Sequence, residues 1–115
     1  MQGTFNSYGI EHIHLNSPEE LDRLISERFN LPLNPYSTNL RSALELVLWC
    51  LDHDEAPYFA IFRSEDEAFP DKPYGVGFAP KSWSYAETAP LAICRDALYQ
   101  LKSIEVSLSE DGQQP

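Results

Sequence analysis

"ETAPLAICRDALYQL", residues 87–101, carries a helix together with its start signal. Thr88 is a hydroxyl N-cap, and Pro90 falls in the first turn, where a missing N–H costs nothing. Glu87, just before them, suits the positive end of the helix dipole. Leu91, Cys94, Leu98 and Leu101 then recur on one face, with Ile93 and Ala97 beside them. Arg95, Asp96 and Lys102 fall on the outside. The pattern predicts a helix that covers a sheet.

Strand signals lie immediately upstream. YFAIFR, residues 58–63, is aromatic and β-branched, and YGVGFA, residues 74–79, alternates. Tyr74, Val76 and Phe78 share one face, while Gly75, Gly77 and Ala79 leave the other nearly bare. A bare face lets a helix or a ligand approach the backbone. Between these strands, SEDEAFPDKP (residues 64–73) is too long for a tight hairpin and reads as an acidic loop. PKSWSY (residues 80–85) places Trp83 and Tyr85 in a Ser-rich loop.

Two more helices precede the strands. Ser17 caps the first, Pro18 takes its first position and Glu20 stands three residues on, as in a capping box. Leu21, Leu24, Ile25, Arg28 and Phe29 share one side, and LPLNP (residues 31–35) ends the run. The second is capped by Ser37 or Thr38 and runs to about His53. Its residues 43–51 are apolar except for Glu45. A helix apolar on nearly every side is either central to the core or half of an interface. Residues 1–16 read as an N-terminal arm or edge strand, residues 17–106 as a single domain, and residues 107–115 as a polar, disordered tail. His12 and His14, two apart on an extended segment, share a face, but a metal site needs further ligands. None is expected.

Charge narrows the function. Eight Lys and Arg against 18 Asp and Glu leave −10, and the basic residues are scattered, which disfavours direct binding to nucleic acid. No apolar run is long enough to span a membrane and no secretory leader is visible, so a cytoplasmic setting is expected. Cys50 and Cys94, both within helices, read as buried thiols in that setting. No phosphate loop, Cys-x-x-Cys pair or nucleophile elbow occurs, and no cofactor is expected.

"PEELDRLISERF", "PYSTNLRSALELV" and "AETAPLAICRDALYQLKSIEV" together resemble the phage ABA sandwich domain family of small phage and prophage proteins. The resemblance covers about residues 18–106. Its most specific parts, residues 36–38 and 88–94, are capping motifs. It implies an α/β (α+β) fold, a three-layer α/β/α sandwich with three helices and a small, mainly antiparallel sheet. It also implies phage origin and expression in a bacterial host cytoplasm. It carries over no catalytic residue.

Three functional classes follow. The first is a non-enzymatic accessory protein that binds a host or phage protein, with a homodimer as the simplest cover for surplus apolar surface. Within it, Glu65, Asp66, Glu67 and Phe69 would contact the partner, and the acidic surface would imitate nucleic acid to inhibit a host defence protein. The second sequesters a signalling nucleotide: Gly75 and Gly77 expose backbone, Trp83 or Tyr85 stacks a base, and Lys81 or Arg95 holds phosphate. The third is an enzyme centred on Asp52, His53, Asp54 and Glu55.

Overall fold

Each of the three helices starts at a side-chain oxygen that takes up an orphan amide. The computed structural model describes residues 3–53, 56, 58–64, 70–80 and 82–109. Helix α1 (Pro18–Phe29) is capped by Ser17, which accepts from the Glu20 amide, while the Glu20 carboxylate reaches back to the Asn16 amide. Its C-terminus closes on Asn30 in the left-handed region, a role that asparagine fills when glycine is absent. Helix α2 (Leu40–Asp52) is capped by Asn39, not by Ser37 or Thr38. The Ser37 hydroxyl is already used, donating to the Pro18 carbonyl at 3.2 Å while its amide donates to buried Asp22 at 2.8 Å, and the Thr38 and Asn39 amides both turn onto the Pro35 carbonyl. Helix α3 (Ala89–Lys102) is capped by Thr88 as the sequence predicts.

The strands form two sheets where the sequence reading expected one. β1 (Thr4–Phe5), β2 (Glu11–Leu15) and β6 (Ile104–Leu108) make the first, in the order β1-β2-β6. β3 (Ala60–Arg63), β4 (Tyr74–Ala79) and β5 (Ser82–Ala86) make the second, an antiparallel sheet in the order β3-β4-β5. The chain is thus an α+β sandwich of three helices and two small three-stranded sheets. β2 is the middle strand of its sheet, not an edge, and β6 lies parallel to it. Ile13 and Leu15 of β2 and Ile104 and Val106 of β6 turn inward together, which sets that register. Residues 107 and 108, expected in the tail, belong to β6, and the Ser109 amide donates to the Leu15 carbonyl.

β5 corrects a further expectation. SWSYA is a strand, with Ser82 and Ser84 turned toward α3, where they bond to Gln100 and Asp96. Serine on the helix-facing side hides the hydrophobic alternation that marks a strand in sequence. The first sheet is tied to α1 by the Arg28 guanidinium, which forks onto both oxygens of the Glu11 carboxylate at 3.1 and 3.3 Å. The same carboxylate accepts the Gly3 amide at 2.8 Å. An arm that seemed peripheral is thereby fastened to the domain.

α3 is the central helix, packing against β4, β5, β6, α1 and α2. Asp96, expected outside, is fully buried at 0% exposure. The reason is a β-bulge in which Gly77 and Phe78 of β4 together face Trp83 of β5. Asp96 Oδ2 accepts the Phe78 amide at 2.6 Å, and Oδ1 accepts the Ser84 hydroxyl at 2.8 Å. Burial pushes the Asp96 carboxyl above its ordinary value of 3.8, against the opposing pull of these hydrogen bonds. Cys94, two residues earlier and also buried, has its thiol pushed well up by burial and then by the Asp22 charge. Cys50 and Cys94 are both free and buried.

Asp96→Ala leaves the Phe78 amide unsatisfied and should cost about 2–3 kcal/mol in urea unfolding, whereas Asp96→Asn keeps an acceptor and should cost less. Because the folded pKa is raised, the stabilising effect of the Asp96 proton is complete at acid pH and lost as pH rises through the folded value. Asp96→Asn should therefore gain on the wild type as pH climbs out of the ordinary carboxylate range. Neither cysteine should react with a thiol reagent until the chain unfolds, because the thiolate is the reactive form and the sites are closed to solvent.

Candidate functional site

β5 and β6 are each the edge of a sheet, and α3 connects one to the other in the chain. Between the two edges opens a cleft of about 660 Å³. β5 contributes Ser82, Trp83, Ser84 and Tyr85 to its walls, and β6 contributes Glu105, Val106 and Ser107. Arg95 and Tyr99, one helical turn apart on α3, face the gap from below. Two bulky side chains from the helix thus line the gap between the two sheets.

The cleft has two unlike walls. On the β5 side the wall is aromatic: Phe62 sits edge-on to both Trp83 and Tyr85, with ring centroids 5.4 and 6.0 Å apart. Trp83 remains 38% exposed. On the β6 side the wall is polar. His12 Nδ1 lies 2.8 Å from Glu105, and the two His14 nitrogens lie 3.0 and 2.8 Å from the hydroxyls of Ser107 and Ser109. Below them, Arg95 Nε is buried and finds no hydrogen-bond partner among the described residues. A buried donor left in that state carries a penalty of about 1–3 kcal/mol.

Three of the six ligand residues expected from sequence, Trp83, Tyr85 and Arg95, meet in this cleft. Gly75 and Gly77 do not line it. Their bare face is covered neither by a helix nor by open space but by the aromatic rings of neighbouring strands. A Cβ on Gly75 would come within 2.4 Å of the Phe62 ring, and one on Gly77 within 2.4 Å of the Trp83 ring. The glycines make room for those rings against the sheet. Lys81 lies outside the described residues, as do Glu65, Asp66, Glu67 and Phe69 of the expected partner surface. His12, His14 and Tyr99 went unnoticed as cleft residues, because the pairing of β2 with β6 joins segments about ninety residues apart and no local signal marks it.

Helix α2 forms a second feature. Ala43, Leu46, Val47 and Cys50 are buried, so only one face reaches the core. Leu40, Leu44, Leu48 and Leu51 remain 48%, 40%, 59% and 36% exposed, and their spacing of four, four and three aligns them on the opposite face. At the end of α2, the His53 ring stacks on Trp49 at 4.5 Å and its Nδ1 lies 3.0 Å from the Trp49 carbonyl. Asp52 is exposed, and Asp54 and Glu55 lie outside the described residues. Among the described residues no three His, Cys, Asp or Glu side chains gather as ion ligands. No described helix is long and apolar enough to cross a membrane.

No protein-family model matches the chain. No curated protein matches it either. Among solved structures, a phage protein from Bacillus cereus ATCC 14579, determined at 2.0 Å, superposes with a TM-score of 0.59 and 25% sequence identity. The alignment covers 79% of this chain and 92% of that one, so the likeness extends over most of the fold. The chain is similar to a phage protein.

Proposed function

We propose that this chain is a non-enzymatic phage accessory protein of the ABA sandwich type, working in the bacterial cytoplasm through contact with another protein. The observation that carries the reading is the leucine face of α2. Four leucines in register on an exposed helix face form a row that a monomer in water gains nothing by displaying. The likeness to a phage protein supports the phage setting.

A second copy is the simplest occupant. In an antiparallel, two-fold pairing that sets Leu44 against Leu48, exposed Arg41 of each copy comes beside exposed Asp52 of the other. A host or phage protein with an apolar groove is the other occupant, and the −10 charge favours one whose surface is basic, as in a defence protein that binds nucleic acid.

Light scattering on a size-exclusion column separates these cases. Self-association should give twice the 13.1 kDa chain mass and fall to the single mass in Leu44→Lys/Leu48→Lys, with the fold retained by circular dichroism because both positions are exposed. If the wild type is monomeric, bait made from it should retain a partner from infected cells that the double variant loses. A monomer whose partners are the same with and without the leucines refutes the reading. Partner binding that survives Glu65→Gln/Asp66→Asn/Glu67→Gln would remove the nucleic-acid mimic alone.

A further inference from the structure

We infer that the cleft between β5 and β6 binds a nucleotide-class ligand, an anionic phosphate carried on a flat ring, at a site separate from the leucine face. Arg95 is the cleft's cation. Its Nε is buried with no partner among the described residues, in a cleft that opens to solvent. A guanidinium presents a planar fork of donors that matches the paired oxygens of a phosphate. Arg95 also lines the cleft, so an anion paired with its guanidinium would offset the cost of a side chain that leaves Nε unsatisfied in the empty fold.

Two carboxylates lie near it, and both have hydrogen-bond partners. Asp96 is next in sequence, but its carboxylate is turned to the Phe78 amide and the Ser84 hydroxyl. Glu105 lines the cleft as a carboxylate, lying 2.8 Å from His12 Nδ1 across the strand pair. The remaining polar groups on that wall are hydroxyls and imidazole, which donate to phosphate without opposing its charge. In a chain of net charge −10 this local composition is unusual, and screening over about 10 Å at 0.1 M salt confines the wider repulsion.

The ring follows from Trp83. Gly77 removes the Cβ that would collide with it, so the indole packs against β4. Phe62 holds it edge-on from the side. A tryptophan fixed in this way, yet more than a third exposed, is a stacking platform for a base. The cleft volume of about 660 Å³ falls within the range of about 300–1,000 Å³ that small ligands occupy.

The test uses the full chain and a panel of the four common ribonucleoside monophosphates, with adenosine and inorganic phosphate as separate arms, followed by calorimetry and by the NMR signals of arginine Nε–H. At least one nucleotide should bind at least tenfold more tightly than either fragment, and the Arg95 Nε–H signal should shift on binding. Arg95→Met and Trp83→Ala should each weaken binding at least tenfold, because both oxyanion pairing and stacking are then lost singly. Phosphate binding as tightly as the nucleotides would overturn the ring half of the proposal, and adenosine doing so would overturn the role of Arg95. No binding of any nucleotide at millimolar concentration would overturn both. If a variant fails to fold, the wild-type Nε–H shift decides. Leu44→Lys/Leu48→Lys should bind nucleotide normally, which keeps this outcome independent of the assembly state.

Discussion

A carboxylate with no solvent exposure holds this fold in its arrangement. The bulge in β4 turns the Phe78 amide away from β5, and a buried amide without an acceptor is costly. Asp96 supplies the acceptor from α3 and takes the Ser84 hydroxyl with its other oxygen, so one side chain locks a helix to two strands. Burial disfavours the charged form, as the raised pKa shows, and the two hydrogen bonds are what make the position tolerable. α3 is thereby fixed under the second sheet at one definite rotation.

That rotation decides what the next residue does. With Asp96 turned into the second sheet, Arg95 is carried about 100° around the helix and faces the gap toward the first sheet, with Tyr99 one turn on. β5 and β6 stay apart, each an edge, and their separation is the cleft. The same geometry places a rigid aromatic wall opposite a wall of imidazole and hydroxyl. Edge strands usually invite unwanted pairing. Here the two edges border a cleft into which helix side chains project, which leaves an opening with chemistry in it.

Much of the framework was legible in the residues. Ser17 and Thr88 announce their helices because an N-cap acts over three residues and needs no distant partner. The inward faces of α1 and β4 follow from period, since Leu21, Leu24 and Ile25, and likewise Val76 and Phe78, can satisfy their burial in only one rotation. Reading failed where a polar residue took an inward place. Ser82 and Ser84 made β5 look like a loop, and Asp96 looked like surface, because their partners lie on another element. α2 failed in the opposite sense: its all-round apolarity suggested a central helix, but α3 holds that position and leaves a row of leucines outside.

The sequence by itself determined three helices, the caps of the first and the third, the identity of two strands, and a chain whose acidity opposes contact with polyanions. Those properties depend on neighbours within a few residues or on composition, and both can be read along a line. Only the tertiary structure decided that there are two sheets, that β2 and β6 pair in parallel, that Asp96 is inside, and that Trp83, Tyr85 and Arg95 share a cleft while Gly75 and Gly77 serve as seats for aromatic rings. Each of these is a meeting of surfaces from separate elements, settled by which hydrogen bonds and apolar faces can be satisfied at once.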